Sequence, residues 1–184
     1  MRKILFIICW ALAGVGLYSC SLDEPSYGKT TSDNFYQKES DIEQALTGAY
    51  LQLRTTWNEY ALNHYFVGDC STDDALKGGG NDGDRAEVRD LSDFTIYTTN
   101  GEVGRRWEIL YRLINRCNDV IYYAPDAIGN EELLKRYANE AKALRAFGYY
   151  CLVTTFGEVP LITTPMQPAE ILQIPRSPLE KVYE

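Results

Sequence analysis

Apolar residues in this chain recur at three- and four-residue steps over three long stretches, a period that only helices use. The longest seam is Leu134, Tyr137, Ala138, Ala141, Leu144, Gly148 and Cys151. Asn130 precedes it as a cap, and Glu131 and Glu132 fall in the first turn, where carboxylates suit the helix dipole. The spacing predicts a helix from Glu131 to about Phe156, stopped by Gly157, with two alanines and a glycine that let a neighbouring helix approach closely. Ile42, Ala45, Leu46, Ala49, Tyr50 and Leu53 predict a second helix, opened by Ser40-Asp41-Ile42-Glu43 as a capping box and running to about Arg54. Trp107, Leu110, Tyr111, Ile114, Cys117 and Ile121 predict a third, from about Val103 to Tyr123, with Pro125 ending it. Trp57 to Phe66 is aromatic-rich and fits a further helix with weaker phasing.

Between these helices the character changes. From Gly68 to Asn100, seven aspartates surround Gly78-Gly79-Gly80 and no helical stripe persists, so a long exposed loop is expected, of the kind that often carries function. Val159-Pro160-Leu161-Ile162 reads as an extended exit from the longest helix. Ser177-Pro178-Leu179-Glu180 is a strong helix start, yet the chain stops at Glu184, far short of a helix that persists alone. The expectation is a chain truncated at its C-terminus.

The N-terminus predicts a location. Arg2 and Lys3 precede an uncharged run from Ile4 to Leu17, and Leu17-Tyr18-Ser19-Cys20 places a small residue directly before a cysteine. That is a secretory signal ending in the lipid-attachment pattern of a bacterial lipoprotein. The run is short for a membrane span, which needs roughly 20 apolar residues; an uncleaved anchor helix is the alternative. Residues 1–19 are read as the signal peptide, 20–39 as a flexible tether and 40–184 as an incomplete helical domain. Acylation of Cys20 would bury methylenes at about 0.8 kcal/mol each and tether the mature protein to a membrane.

The formal net charge is −8, and loss of Arg2 and Lys3 with the signal makes it more acidic. Such a surface repels nucleic-acid phosphates, which sets nucleic-acid binding aside. Cys70, Cys117 and Cys151 remain after the signal and the lipid site, an odd number that leaves at least one free thiol. Cys117 and Cys151 read as small core residues, with a disulfide from Cys70 to either as the alternative. No CxxC pair exists and His64 is the only histidine, so no metal and no cofactor are expected.

Several chemistries fail on local grounds. Gly78-x-Gly80-x-x-Gly83 matches a dinucleotide fingerprint, but it follows an acidic stretch instead of a strand, and Asp82 and Asp84 would repel a pyrophosphate. A calcium loop breaks at Ala86 and Val88. Asp73, Asp74, Asp82 and Asp84 lie in a solvated glycine-rich loop, which lacks the rigidity and dryness that paired glycosidase carboxylates need. A non-catalytic protein is expected.

Together these segments resemble the SusD/RagB family of outer-membrane glycan-binding lipoproteins. The residues that carry the resemblance are Cys20 with Leu22-Asp23 and Pro25, Asn34-Phe35-Tyr36, Asp41 to Tyr50, Ser71-Thr72-Asp73-Asp74-Ala75, Trp107 with Tyr111 and Ile114, and Asn118-Asp119-Val120-Ile121. The most specific run is Glu140-Ala141-Lys142-Ala143-Leu144-Arg145-Ala146-Phe147, leading through Tyr149-Tyr150 to Phe156-Gly157-Glu158-Val159-Pro160-Leu161. The resemblance implies an all-α fold of tetratricopeptide-like helix pairs with long irregular loops, here the N-terminal portion of a longer family pattern. It further implies a surface protein that binds oligosaccharide and sits as a lid on a TonB-dependent (SusC-like) transporter. Sugar contacts in the family come partly from the loop that here runs Lys77 to Arg85, which contains no aromatic. Candidate ligand contacts are Asp74, Lys77, Asn81, Asp82, Asp84 and Arg85 as hydrogen-bonding groups, with Trp57 and Tyr60 as a platform or as core. A helical scaffold lipoprotein that binds only protein partners stands as the alternative.

Overall fold

The computed structural model describes residues 34–54, 64–81 and 83–184. The signal, Cys20 and most of the stretch read as a tether lie outside the described residues, as do Trp57, Tyr60 and Asp82. In chain order the helices are α1 (Glu39–Tyr50), α2 (Ala86–Ser92), α3 (Gly101–Tyr123), α4 (Glu131–Phe156), α5 (Pro168–Ile171) and α6 (Leu179–Tyr183). Two short strands, β1 (Val159–Pro160) and β2 (Arg176–Ser177), pair antiparallel with Val159 opposite Ser177. The helices expected from periodicity form, and the all-α class that the resemblance implies is what they build.

The three long helices share one core. Ile42, Leu46 and Ala49 of α1 pack with Leu113, Cys117 and Val120 of α3 and with Leu134, Ala141 and Leu144 of α4. Further along the α3–α4 pair, Ile109, Leu110 and Ile114 meet Tyr149, Leu152 and Val159. Gly148 sits at that crossing, where a Cβ would come within 3.1 Å of Ile114. α4 ends as expected, at Gly157 with φ 71°.

Two helix starts differ from expectation. α1 begins at Glu39 with Lys38 as its cap, ahead of Ser40. The Asp41 carboxylate accepts from the backbone N–H of Lys38 at 3.0 Å and of Gln37 at 3.2 Å, which moves the capping function upstream. Glu39 also reaches across to α4, where its carboxylate accepts from Asn130 N–H at 2.7 Å. Residues 36–39, the end of the stretch read as a tether, are held in this way. Gln37 C=O accepts from Ile128 N–H, Glu39 N–H donates to Ile128 C=O, and Tyr36 stacks on Tyr123. α3 begins at Gly101, because the Asn100 side chain accepts from the N–H groups of Glu102 and Val103.

The expected long loop is interrupted. Within 68–100, α2 buries Val88 and Leu91 against Phe66 and Cys70, forming a small third core. Two apolar residues three apart are too few to register as a stripe. The helix is held from outside: Glu87 C=O accepts from the Asn100 amide at 2.9 Å, and its carboxylate accepts from Gly101 N–H at 3.0 Å. Cys70, Cys117 and Cys151 are all buried as free thiols, so the disulfide alternative does not form.

Candidate binding cleft

The polar loop after α1 ties much of itself together. The Lys77 ammonium donates to Asn81 C=O at 2.7 Å, and Lys77 N–H donates to Ser92 Oγ. Asn81 Oδ1 accepts from Gly83 N–H at 2.9 Å and Asp84 N–H at 3.1 Å, an Asx turn that closes the tip. Asp84 packs against Gly79, whose φ of 116° admits no side chain comfortably. Arg85 donates to the Glu102 carboxylate at 3.1 Å and lies 4.9 Å over the Phe66 ring. Asp74 is exposed, its N–H donating to Thr72 Oγ1. Lys77, Asn81, Asp84 and Arg85 thus form one local knot in which both cations already hold loop or helix.

A different set of side chains converges on the far end of α3. Asn115, Asp119, Tyr122 and Tyr123 follow one another at four, three and one residues and share a helix face. With Tyr36 they form one wall of a cleft of about 550 Å³. The opposite wall is the segment from Thr164 through Pro165, Met166 and Gln167 to Glu170. Tyr36 and Tyr123 stack with centroids 4.4 Å apart and planes 8° from parallel. Tyr122 meets Tyr123 edge-on at 4.9 Å and remains 57% exposed. A narrower apolar cleft of about 210 Å³, lined by Trp107, Tyr111, Ile114, Pro160, Ile162 and Ile171, shares Asn115 with it. Trp107 and Tyr111 are therefore half-buried edge residues that pack on the core and also face this narrow cleft.

The second wall is placed by a buried polar cluster. Asn118, fully buried, donates from Nδ2 to Ile162 C=O at 3.0 Å and accepts from Arg145 at 2.8 Å. The Tyr149 hydroxyl donates to Ile162 C=O and accepts from Ile162 N–H at 2.7 Å. Arg145 also donates to Thr163 C=O, and Tyr111 to Pro160 C=O. The extended segment is thereby pinned to α3 and α4 just before it reaches the cleft.

Burial governs the acid–base character here. Desolvation, then the Asp119 carboxylate, push the Tyr36 hydroxyl up to about 12. Desolvation also raises Asp119, opposed by the Tyr36 hydroxyl bonded to it at 3.3 Å and by Arg116. Glu170 accepts from Gln167 N–H at 3.0 Å, which orients it at the start of α5. Aromatic faces beside amide and carboxylate groups suit a flat ligand rich in hydroxyls. No group of three or more metal-ligating side chains occurs among the described residues.

Among the described residues, none of the loop candidates Asp74, Lys77, Asn81, Asp84 and Arg85 lines this cleft. Tyr36 and Asp119 stand within the segments Asn34-Phe35-Tyr36 and Asn118-Asp119-Val120-Ile121 already singled out, and the Asn115–Asp119–Tyr122 spacing was there to be found. Gln167 and Glu170 carried no signal, being single polar residues in a proline-punctuated stretch.

A family model described as SusD-like, starch-binding and associating with the outer membrane, matches residues 21–184. SusD-like protein P2 of Formosa agariphila is 30% identical over 99% of this chain and 35% of its own length. SusD-like protein P25 of the same organism is 26% identical over 95% of this chain and 34% of its own length. Among solved structures, a laminarin binding SusD-like protein superposes with TM-score 0.70 and 30% identity, over 80% of this chain and 32% of that one. Surface glycan-binding protein A from Bacteroides fluxus gives TM-score 0.65 and 28% identity, over 80% and 31%. The chain spans about a third of the length of the relatives it matches.

Proposed function

The chain belongs to the SusD-like family, and on that premise we propose that it serves in a cell-surface lipoprotein that binds oligosaccharide without cleaving it. The protein is acylated at Cys20, is anchored by that lipid in the outer membrane, and passes its ligand to a TonB-dependent, SusC-like transporter. The observation that carries the binding step is the cleft lined by Tyr36, Tyr122 and Tyr123 together with Asn115, Asp119, Gln167 and Glu170. The kinship with a laminarin binder supports a glucan as the first ligand to try. A binding role also suits the two carboxylates: Asp119 accepts from the Tyr36 hydroxyl and Glu170 from the Gln167 backbone N–H, and each keeps acceptor capacity for a sugar hydroxyl.

A glycan array probed with the full-length gene product tests this reading. Retention of a glucan, with no shortening of the retained glycan, is the expected result; retention of no glycan overturns it. The scaffold reading draws on a separate observation, the exposed Leu76, Phe94, Ile96 and Tyr97 flanking α2, which suit a protein contact. Co-purification with a transporter in the absence of any glycan affinity would favour that alternative.

A further inference from the structure

We propose that the tyrosine cleft selects neutral glycans and turns away chains bearing uronate or sulfate; the inference rests on the glycan-binding reading above. Among the described residues lining the cleft, the charged ones are Asp119 and Glu170, both acids, and no lysine or arginine joins them. Arg116 favours the ionised form of Asp119 but is not part of the lining. The remaining polar groups are the amides of Asn115 and Gln167, the Thr164 hydroxyl and the tyrosine hydroxyls. A neutral sugar offers hydroxyl donors that two acceptor-only carboxylates can take, while its apolar face covers the exposed Tyr122 ring. A uronate or sulfate brings acceptor oxygens and negative charge to walls that answer with more of both. The contrast lies within the same molecule: the groove between α4 and α6 is lined by three cations, Lys142, Arg145 and Lys181, against one acid, Glu184. The chain has cations available, and they line another face.

A like charge held about 4 Å from one of these carboxylates weakens binding roughly fivefold even in water-like surroundings, and the cleft presents two. The test uses the full-length protein, Tyr122→Ala and Glu170→Lys on an array of neutral, uronate-bearing and sulfated glycans at low salt. Neutral glycans should be retained, Tyr122→Ala should weaken that retention about tenfold, and Glu170→Lys should raise retention of acidic glycans several-fold. Tyr122-dependent retention of acidic glycans as strong as that of neutral ones overturns the selectivity and leaves glycan binding standing. Neutral-glycan retention unchanged in both variants overturns the assignment to this cleft, again leaving the broader function intact. Retention of nothing overturns both.

Discussion

Asn118 uses both ends of its amide inside the protein, donating to Ile162 C=O and accepting from Arg145. Replacing it by leucine keeps the volume but leaves part of a guanidinium and one carbonyl lone pair without a partner. Asn118→Leu is expected to cost about 2 kcal/mol, because the buried Ile162 C=O loses a donor and the half-buried Arg145 guanidinium loses one of its two acceptors; the midpoint of urea unfolding reads this directly. Tyr36 makes a pH prediction. Its hydroxyl ionises near 10.0 in the unfolded chain and near about 12 in the fold. A raised pKa means the stabilisation is complete below the unfolded value and lost as pH climbs through the folded one. Stability should therefore fall between pH 10 and 12, and the fall should be shallower in Tyr36→Phe, measured as thermal midpoint against pH. At this scale the sequence was a partial guide. Lys77, Asn81 and Arg85 are polar loop residues of the right kind, yet the structure uses them to close their own loop. Residue type alone does not say whether a donor faces a ligand or its neighbour.

Helices were legible in proportion to the length of their seams. α4 runs from Glu131 to Phe156 as its spacing predicts, since seven apolar residues over about five turns leave no competing period. α2 escaped notice because its two buried apolar residues carry no period, and it forms on contacts from Phe66, Asn100 and Glu102. The α3–α4 pair yields a sharp prediction at Gly148, where Ile114 and Leu113 lie 3.1 and 3.4 Å from any added Cβ. Gly148→Val must push the helices apart or displace Ile114, and is expected to destabilise by about 1–3 kcal/mol through overpacking. Chemical denaturation of the purified variant measures it, and an unchanged midpoint would show that the crossing yields more easily than its geometry allows.

Across the molecule, Cys70, Cys117 and Cys151 are each buried, and desolvation raises all three thiols, Cys117 to about 12. Since the thiolate is the reactive form, alkylation at neutral pH should leave these three sites unlabelled in native protein and label all of them in denaturant. Site-by-site mass spectrometry reads the outcome; rapid native labelling of Cys117 would mean that the α1–α3–α4 core opens. The resemblance in helix seam, cap and exit strand was enough to identify the family, because those features are local and contiguous. By itself the sequence determined the three long helices and their inward faces, since apolar periodicity acts within a few turns of one segment. Only the tertiary structure decided where a ligand could sit. The cleft joins Tyr36, the end of α3 and residues 164–170, and the last are brought there by the buried Asn118–Tyr149–Arg145 cluster gripping Ile162 and Thr163. Those partners lie far apart along the chain, and no periodicity within one segment encodes a contact between segments.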